Sequence, residues 1–247
     1  MPDAHYPSPF RRILLKLSGE SLMGNTPNAI NPSTLKSIAS EIHSIHQMGM
    51  DIAVVIGGGN IFRGISSSAY SIERVTADYM GMMATVINAL ALNEALKTEG
   101  SAATVMTAFE IAGVAEPYGR ESALRHLDEG KIVIFAGGTG NPYFTTDTAA
   151  TLRAREINAQ IILKATQVDG VFDRDPAKES GAQLFDRISY EEVLRARLRV
   201  IDLTAISMAM EEQIPIVVFN IGKRGNIRKI MAGQKVGTLI SGESDER

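Results

Sequence analysis

The 247-residue chain contains no cysteine, which excludes disulfide bridges, thiolate catalysis and zinc sites built from cysteine. It also has no basic tail or stripe, and its formal net charge of −3 argues against nucleic acid as the main partner. No apolar run looks long enough to cross a bilayer. The first residues, MPDAHYPSPFRR, lack the apolar segment of a signal peptide. A cytoplasmic enzyme with neither a membrane nor a nucleic acid as partner fits these absences, and so do many other soluble proteins.

The chain is 45% hydrophobic, so it can form a sizeable core. Its β-type apolar runs are short and nearly continuous, which is typical of strands buried on both faces of a parallel sheet. They predict strands at 13–17, 52–56, 103–107, 132–135, 161–165 and 214–219.

Helices are predicted between these runs at 32–48, 74–97, 146–157 and 203–212. The first has the 3.6-residue rhythm of an amphipathic helix, and the second is long and rich in Met and Ala. Asn31-Pro32 is a typical cap followed by proline at the first helical position. Asp202 is a candidate cap for the last of the four helices. The alternation of strands and helices predicts an α/β fold with a parallel sheet. We expect one domain, 1–247, with a soft division into lobes 1–160 and 161–247.

Three glycine-bearing turns directly follow predicted strands: KLSG at 16–19, GGGN at 57–60 and GGTGN at 137–141. Glycine lets backbone N–H groups approach a ligand closely, and such turns at strand ends are typical of phosphate-binding crevices in α/β proteins. Lys16 and Arg63 stand beside two of the turns. The pattern therefore predicts an anionic ligand that is held from more than one side.

The common nucleotide-binding motifs are absent. The glycines at 59 and 64 are followed by Ile65-Ser66 instead of Lys-Ser/Thr, and no G-x-G-x-x-G occurs, so a P-loop kinase and a dinucleotide-binding dehydrogenase are both disfavoured. The HRD and DFG signatures of protein kinases are missing as well. His43 and His46, three residues apart on a predicted helix, are better explained by packing than by metal binding.

Five segments closely resemble the bacterial uridylate (UMP) kinases of the amino-acid kinase superfamily. They are RRILLKLSGESL (11–22), VVIGGGNIFRG (54–64), ADYMGMMATVINALAL (77–92), GTGNPYFTTDTAATLRA (138–154) and LKATQVDGVFDRDP (163–176). The resemblance implies a three-layer α/β/α sandwich around a mainly parallel central sheet. It also implies a cytoplasmic, allosteric homohexamer that transfers the γ-phosphoryl group of ATP to UMP, with Mg²⁺, to supply UDP for pyrimidine nucleotide synthesis.

The resemblance assigns roles to individual residues. Lys16 would bridge the phosphates of donor and acceptor, Arg63 would contact ATP phosphates, and Asp147 would orient the catalytic lysines or Mg²⁺; no residue is assigned as a direct metal ligand. Phe172 would pack on adenine. The implied ATP site consists of Lys16, Leu17, Ser18, Gly19, Gly59, Arg63, Thr166, Phe172 and Asp175. The implied UMP site consists of Gly58, Asp78, Thr139, Gly140, Asn141, Pro142, Tyr143, Phe144, Thr145 and Thr146.

Several of these residues also have plain structural explanations. Lys16 could extend from a strand end to solvent, and Asp78 could form an ion pair with Arg74 one helical turn away. Asp147 could be only a first-turn charge, and Asp175 could start a turn.

Lys164 and the glycines at 57–59 each have both a functional and a structural explanation. Lys164 could either neutralise transferring charge or be structural. The glycines at 57–59 could form a simple tight turn.

This sequence departs from the UMP kinase pattern at Gln167, where many relatives carry a basic residue, and at 24–30, a loop associated with GTP activation. Asn93 and Thr104 are likewise not basic. We therefore do not expect the effector control of the family to apply to this chain. Two competing hypotheses are a related kinase acting on a carboxylate or carbamate, and a nucleotide-binding sensor without activity.

Overall fold

The structure is a computed structural model that describes residues 10–24, 29–62, 72–198 and 200–242. In chain order its strands are β1 (Arg12–Leu17), β2 (Asp51–Ile56), β3 (Ala103–Thr107), β4 (Glu116–Pro117), β5 (Ile132–Ala136), β6 (Ile161–Thr166), β7 (Arg187–Ser189), β8 (Ile216–Asn220) and β9 (Thr238–Ser241). Its helices are α1 (Pro32–His46), α2 (Arg74–Thr98), α3 (Arg120–Asp128), α4 (Thr146–Glu156), α5 (Tyr190–Ala196), α6 (Leu203–Glu211) and α7 (Asn226–Met231).

All of the strands belong to one sheet, in the order β4-β3-β5-β2-β1-β6-β8-β9-β7. Every neighbouring pair is parallel except β8 and β9. The predicted mainly parallel sheet is therefore confirmed. The sheet continues through the β1–β6 pair, which joins the two lobes expected from the sequence, and the lobe division stays a prediction.

Two apolar cores cover the two faces of the sheet. One contains residues of α1, α2 and α7, and the other contains residues of α3, α4, α5 and α6. This arrangement confirms the three-layer α/β/α sandwich. In β1, Leu15 and Leu17 pack into the first core while Leu14 packs into the second, as the two-residue period of a strand requires. Lys16 therefore faces the layer that contains α4.

The start of α1 follows the predicted capping pattern. The Asn31 side-chain oxygen accepts a hydrogen bond from the Thr34 N–H at 3.0 Å, and Pro32 occupies the first turn, where its missing N–H costs nothing. Thr145 caps α4 in the same way, with its hydroxyl accepting from the Asp147 N–H at 3.0 Å. Local chemistry thus fixes the first residues of both helices.

Helix α2 is long and apolar enough, by length and composition alone, to cross a membrane, so the expectation that no such run exists is too simple. Its inner face packs against α1, β3 and β5. That face also buries Thr85 and Asn88, both of which are hydrogen-bonded to loops of the same domain. These contacts are typical of the core helix of a globular domain.

Candidate active site

The candidate site lies where β1, β2, β5 and β6 end. Because these strands are parallel neighbours, their carboxyl ends meet at one edge of the sheet. The turn at residues 18–19 follows β1, the turn at 57–60 follows β2, and the turn at 137–141 follows β5. The three glycine turns identified in the sequence therefore lie together.

The first two turns need glycine because their backbones touch. A Cβ on Gly19 would lie 2.8 Å from the Gly59 nitrogen and 2.9 Å from the Gly57 oxygen. A Cβ on Gly58 would lie 2.6 Å from the Gly81 oxygen on α2. No real Cβ tolerates such distances. A Cβ on Gly57 would lie 2.9 Å from the Gly19 nitrogen, so close packing accounts for the glycines at 57 and 58 beyond what a simple tight turn needs.

The third turn needs glycine for its backbone conformation. Gly137 and Gly140 have φ of 79° and 80°, in the left-handed region that side chains disfavour. Tyr143 also has a positive φ, 73°, and its N–H donates to Asp78 Oδ2 at 2.8 Å. That hydrogen bond connects the 137–146 segment to α2.

At the centre of the site, two lysines share one carboxylate. Lys16 and Lys164 are direct partners in the β1–β6 register, so their side chains stand side by side on the α4 face of the sheet. Asp147 enters from the first turn of α4; its Oδ1 lies 2.8 Å from Lys16 Nζ, and its Oδ2 accepts a hydrogen bond from Lys164. All three side chains are largely buried. The cluster carries a net positive charge when all three groups are ionised.

The electrostatics of the cluster keep Asp147 ionised. Burial alone would raise its pKa, but attraction to Lys16 and Lys164 outweighs burial and lowers the pKa to about 2. Burial lowers the pKa of Lys164 to about 8, with a further lowering by the charge of Lys16, while Asp147 opposes both effects. A carboxylate with so low a pKa is a poor proton acceptor. Its geometry suits it to holding two lysines in place.

Asp202 connects α6 to the same cluster. It caps α6 by accepting from the Ala205 N–H at 2.9 Å, which confirms the predicted helix cap. Its carboxylate also accepts from the hydroxyls of Thr145 and Thr148, the latter at 3.0 Å. The start of α4 is therefore fixed from the α6 side as well, a role that sequence reasoning missed.

A cavity of about 320 Å³, here called the α2 cavity, lies between α2 and the second and third glycine turns. Seven residues of the predicted UMP site line it: Gly58, Asp78, Thr139, Asn141, Phe144, Thr145 and Thr146. Gly140, Pro142 and Tyr143 are not among its lining residues. The ion pair of Arg74 with Asp78, expected as an alternative, is present at 2.8 Å, and Asp78 also lines the α2 cavity.

Two further cavities lie on the other side of the cluster. The Phe172 cavity, about 560 Å³, is lined by Phe172 and Asp175. The Asp147 cavity, about 590 Å³, is lined by Asp147, Lys164 and Asp202. Both include Arg197, so the two cavities adjoin there. Since Thr146 lines the α2 cavity and Asp147 lines the Asp147 cavity, the start of α4 separates two binding spaces.

The remaining members of the predicted ATP site have other positions. Gly59 lines both the α2 cavity and a fourth cavity, which also contains Gln167. Leu17, Ser18 and Gly19 line none of these four cavities. The Thr166 hydroxyl lies 2.8 Å from the Val168 oxygen and orders the local turn. Arg63 lies outside the described residues, as do residues 25–28 of the loop that departs from the UMP kinase pattern.

Asp175 forms the turn that the sequence allowed as an alternative, and it also lines the Phe172 cavity. Its Oδ1 accepts from the Ala177 N–H at 3.0 Å, as expected for a turn. Arg197 was not predicted at all, and no sequence motif distinguishes it. Thr85 and Asn88 were also missed, although a polar residue inside the apolar run VINALAL was an available signal.

The chain's own groups suit a divalent cation that arrives bound to phosphates. Asp147 within the cluster already interacts with two ammonium groups, and Asp202 nearby already accepts from two hydroxyls. Among the described residues, no group of three or more acidic or histidine side chains could hold a metal ion. Mg²⁺ commonly binds through substrate phosphates and water, and this site is compatible with that mode.

Comparisons with known proteins agree with this geometry. Residues 11–220 match the model of the amino acid kinase family. The UMP kinase of Bacillus anthracis is 43% identical, with a TM-score of 0.93 over 96% of this chain and 98% of that chain. The UMP kinase of Ureaplasma parvum is 35% identical, with a TM-score of 0.89 over 95% of this chain and 100% of that chain. The uridylate kinase of Archaeoglobus fulgidus is 30% identical, with a TM-score of 0.72 over 93% of this chain and 99% of that chain.

Proposed function

Because this chain belongs to the amino acid kinase family, we propose that it is a nucleoside monophosphate kinase that transfers the γ-phosphoryl group of ATP to UMP. One observation carries the proposal: Asp147 and Lys164 of the Lys16–Asp147–Lys164 cluster line the Asp147 cavity, while Thr146, the residue before Asp147, lines the α2 cavity. A transferring phosphoryl group needs positive charge between its donor and its acceptor, and this cluster provides it.

In this proposal UMP occupies the α2 cavity. The ribose hydroxyls donate to Asp78, and the phosphate lies near Thr145 and Thr146, at the positive end of the α4 dipole. ATP occupies the opposite side, with adenine against Phe172 and its phosphates directed to the Asp147 cavity. Arg63 and the turn at 18–19 would contact the ATP phosphates, as the resemblance implies.

Transfer forms a bond between a UMP phosphate oxygen and the γ-phosphorus, and it breaks the bond from that phosphorus to the β–γ bridging oxygen, which leaves with ADP. A UMP phosphate is already ionised at neutral pH, so no general base is required. Lys16 and Lys164 stabilise the charge that moves to the bridging oxygen, and Asp147 holds both ammonium groups. Mg²⁺ that arrives with ATP would add further neutralisation of phosphate charge, and no side chain of this site is assigned as its direct ligand.

An acceptor panel tests this function. ADP release is measured with ATP and each of UMP, CMP, dTMP and AMP, and with carbamate and acetylglutamate as acceptors of the related kinases. We expect UMP to give the highest kcat/KM. A rate with UMP equal to the acceptor-free background would refute the proposal, and tight binding of both nucleotides without product would revive a sensor role.

We also propose that the protein is a cytoplasmic homohexamer. Support comes from the outer face of α2, which exposes Tyr79, Met80, Met83 and Ile87. These residues recur at helical spacing and form an apolar stripe, a feature that in soluble proteins marks an association surface. Covering the stripe with a second copy would remove it from water.

Light scattering tests the assembly. The unchanged protein is expected at six chain masses, and Met83→Glu is expected at a lower mass because a charge within the stripe opposes its burial. Val114→Glu, which alters an equally exposed apolar residue away from α2, is the matched control and should keep the full mass. Equal masses for both variants would show that the stripe is not an interface.

A further inference from the structure

Helix α2 carries two polar side chains, Thr85 and Asn88, that are almost completely inaccessible to water. Burying an amide or a hydroxyl is costly unless its hydrogen bonds are satisfied by the protein. Each of these side chains finds its partner in a different glycine turn of the active site.

Asn88 holds the turn at 57–60. Its Nδ2 donates to the Gly57 oxygen at 2.7 Å and to Asn60 Oδ1 at 2.7 Å, and its Oδ1 accepts from Asn60 Nδ2 at 3.0 Å. Both hydrogens and the oxygen of the amide are therefore used. Asn60 Nδ2 also lies 2.6 Å from the Ala29 oxygen, so the same network reaches the segment before α1.

Thr85 holds the turn at 137–141. Its hydroxyl accepts from the Gly137 N–H at 2.7 Å and donates to the Met82 oxygen within α2 at 2.6 Å. The hydroxyl orientation is thus fixed by α2 itself. Gly137 is the first residue of the turn and already has a left-handed backbone conformation.

We propose that Asn88 and Thr85 are positioning residues, each of which fixes one glycine turn against α2 for phosphoryl transfer. Glycine-rich backbone is conformationally free, so it can present preorganised N–H groups only if something else immobilises it. The proposal rests on the proposed function for the identity of the two substrates. The attachment of the turns to α2 is independent of that identity.

The two residues should affect different substrates. The turn at 57–60 lines the α2 cavity through Gly58 and Gly59 and also packs against the turn at 18–19, which the proposed function assigns to ATP. Loss of Asn88 should therefore weaken the handling of both nucleotides. The turn at 137–141 borders only the α2 cavity, so loss of Thr85 should weaken UMP alone. A general loss of stability would not produce this difference.

Steady-state kinetics of Thr85→Val and Asn88→Ala test the difference at a temperature where each variant is folded. Thr85→Val is expected to raise the KM for UMP about tenfold and to leave the KM for ATP within about twofold. Asn88→Ala is expected to raise both KM values or lower kcat by about tenfold. Thr85→Ser keeps the hydroxyl, so its KM for UMP should equal that of the unchanged protein.

Thr98→Val is the matched control. Its hydroxyl donates to the Glu94 oxygen at the exposed end of the same helix, so both KM values should stay unchanged. If Asn88→Ala does not fold, Asn88→Ser replaces it. Equal changes in both KM values for Thr85→Val, or unchanged kinetics for the Thr85 and Asn88 variants, would overturn the proposal.

Hydrogen–deuterium exchange without nucleotides separates this inference from the proposed function. Thr85→Val should speed exchange in peptides that contain residues 137–141, and Asn88→Ala should speed exchange in peptides that contain residues 57–60. Each variant should leave exchange in the other turn unchanged. If UMP proves not to be the acceptor but this exchange pattern holds, only the proposed function fails. If UMP is phosphorylated but exchange rises equally in both turns, only the positioning proposal fails.

Discussion

Lys16→Ala is expected to lower kcat by about 10²- to 10³-fold, the usual loss when one preorganised donor to a charged transition state is removed. Lys16 is buried at the end of β1, with its ammonium group 2.8 Å from Asp147. In the proposed complex its ammonium group would lie between the phosphates of the two nucleotides. Most of the loss should occur in kcat because the charge on the bridging oxygen develops only during transfer.

The fold should survive this substitution. Asp147 keeps Lys164 as a partner, and removal of one ammonium group also removes its desolvation cost. Circular dichroism and thermal unfolding verify folding before the kinetics are interpreted. Lys97→Ala, which removes an exposed lysine at the far end of α2, is the control. A kcat near that of the unchanged protein would remove Lys16 from the mechanism.

The second large effect is expected for Asp147→Asn, which keeps the shape of the side chain but removes its charge. Two buried ammonium groups would then repel each other without a counter-ion. We expect a loss of about 3 kcal/mol in the free energy of unfolding and a fall in kcat of at least about 10²-fold. Urea unfolding and steady-state kinetics measure the two effects. Asp186→Asn, at an exposed ion pair with Lys235, should change neither quantity appreciably.

The pH dependence of kcat/KM for ATP shows whether Asp147→Asn acts through the charge of Lys164 or only by distorting the site. The pKa of Lys164 is lowered to about 8, so kcat/KM for ATP should fall as the pH rises through that value and the ammonium group loses its proton. Asp147 acts to raise this pKa, so in Asp147→Asn the alkaline fall should begin at a lower pH. An unchanged alkaline limb in the variant would show that Asp147 does not control the charge of Lys164.

The sequence predicted the parts of the fold that depend on local chemistry. β3 was predicted to the residue, and the start of α1 follows from Asn31 and Pro32. By contrast, β4 has two residues and β7 has three, too few to show a period. Helix α5 is also short and was missed, although a capping box at Ser189 and Glu192 marks its start.

The candidate site was predictable where a motif names its residues and not where distant segments meet. Seven of the residues implied for UMP line one cavity, and all but Asp78 belong to the second glycine turn or to the segment 139–146. The β1–β6 register that places Lys164 beside Lys16 joins residues far apart in sequence, and no local pattern encodes it. The same is true of Asp202, whose cap was predicted but whose contacts with Thr145 and Thr148 depend on how α6 packs against α4.

The most direct test of the account is the fate of the γ-phosphoryl group. The protein is incubated with UMP and ATP labelled at the γ-phosphorus, alongside Lys16→Ala, and the products are separated by chromatography. We predict that the label appears in UDP, in an amount equal to the ADP formed, and that Lys16→Ala yields almost none. Label in inorganic phosphate alone, or equal UDP formation by both proteins, would contradict direct transfer past the Lys16–Asp147–Lys164 cluster.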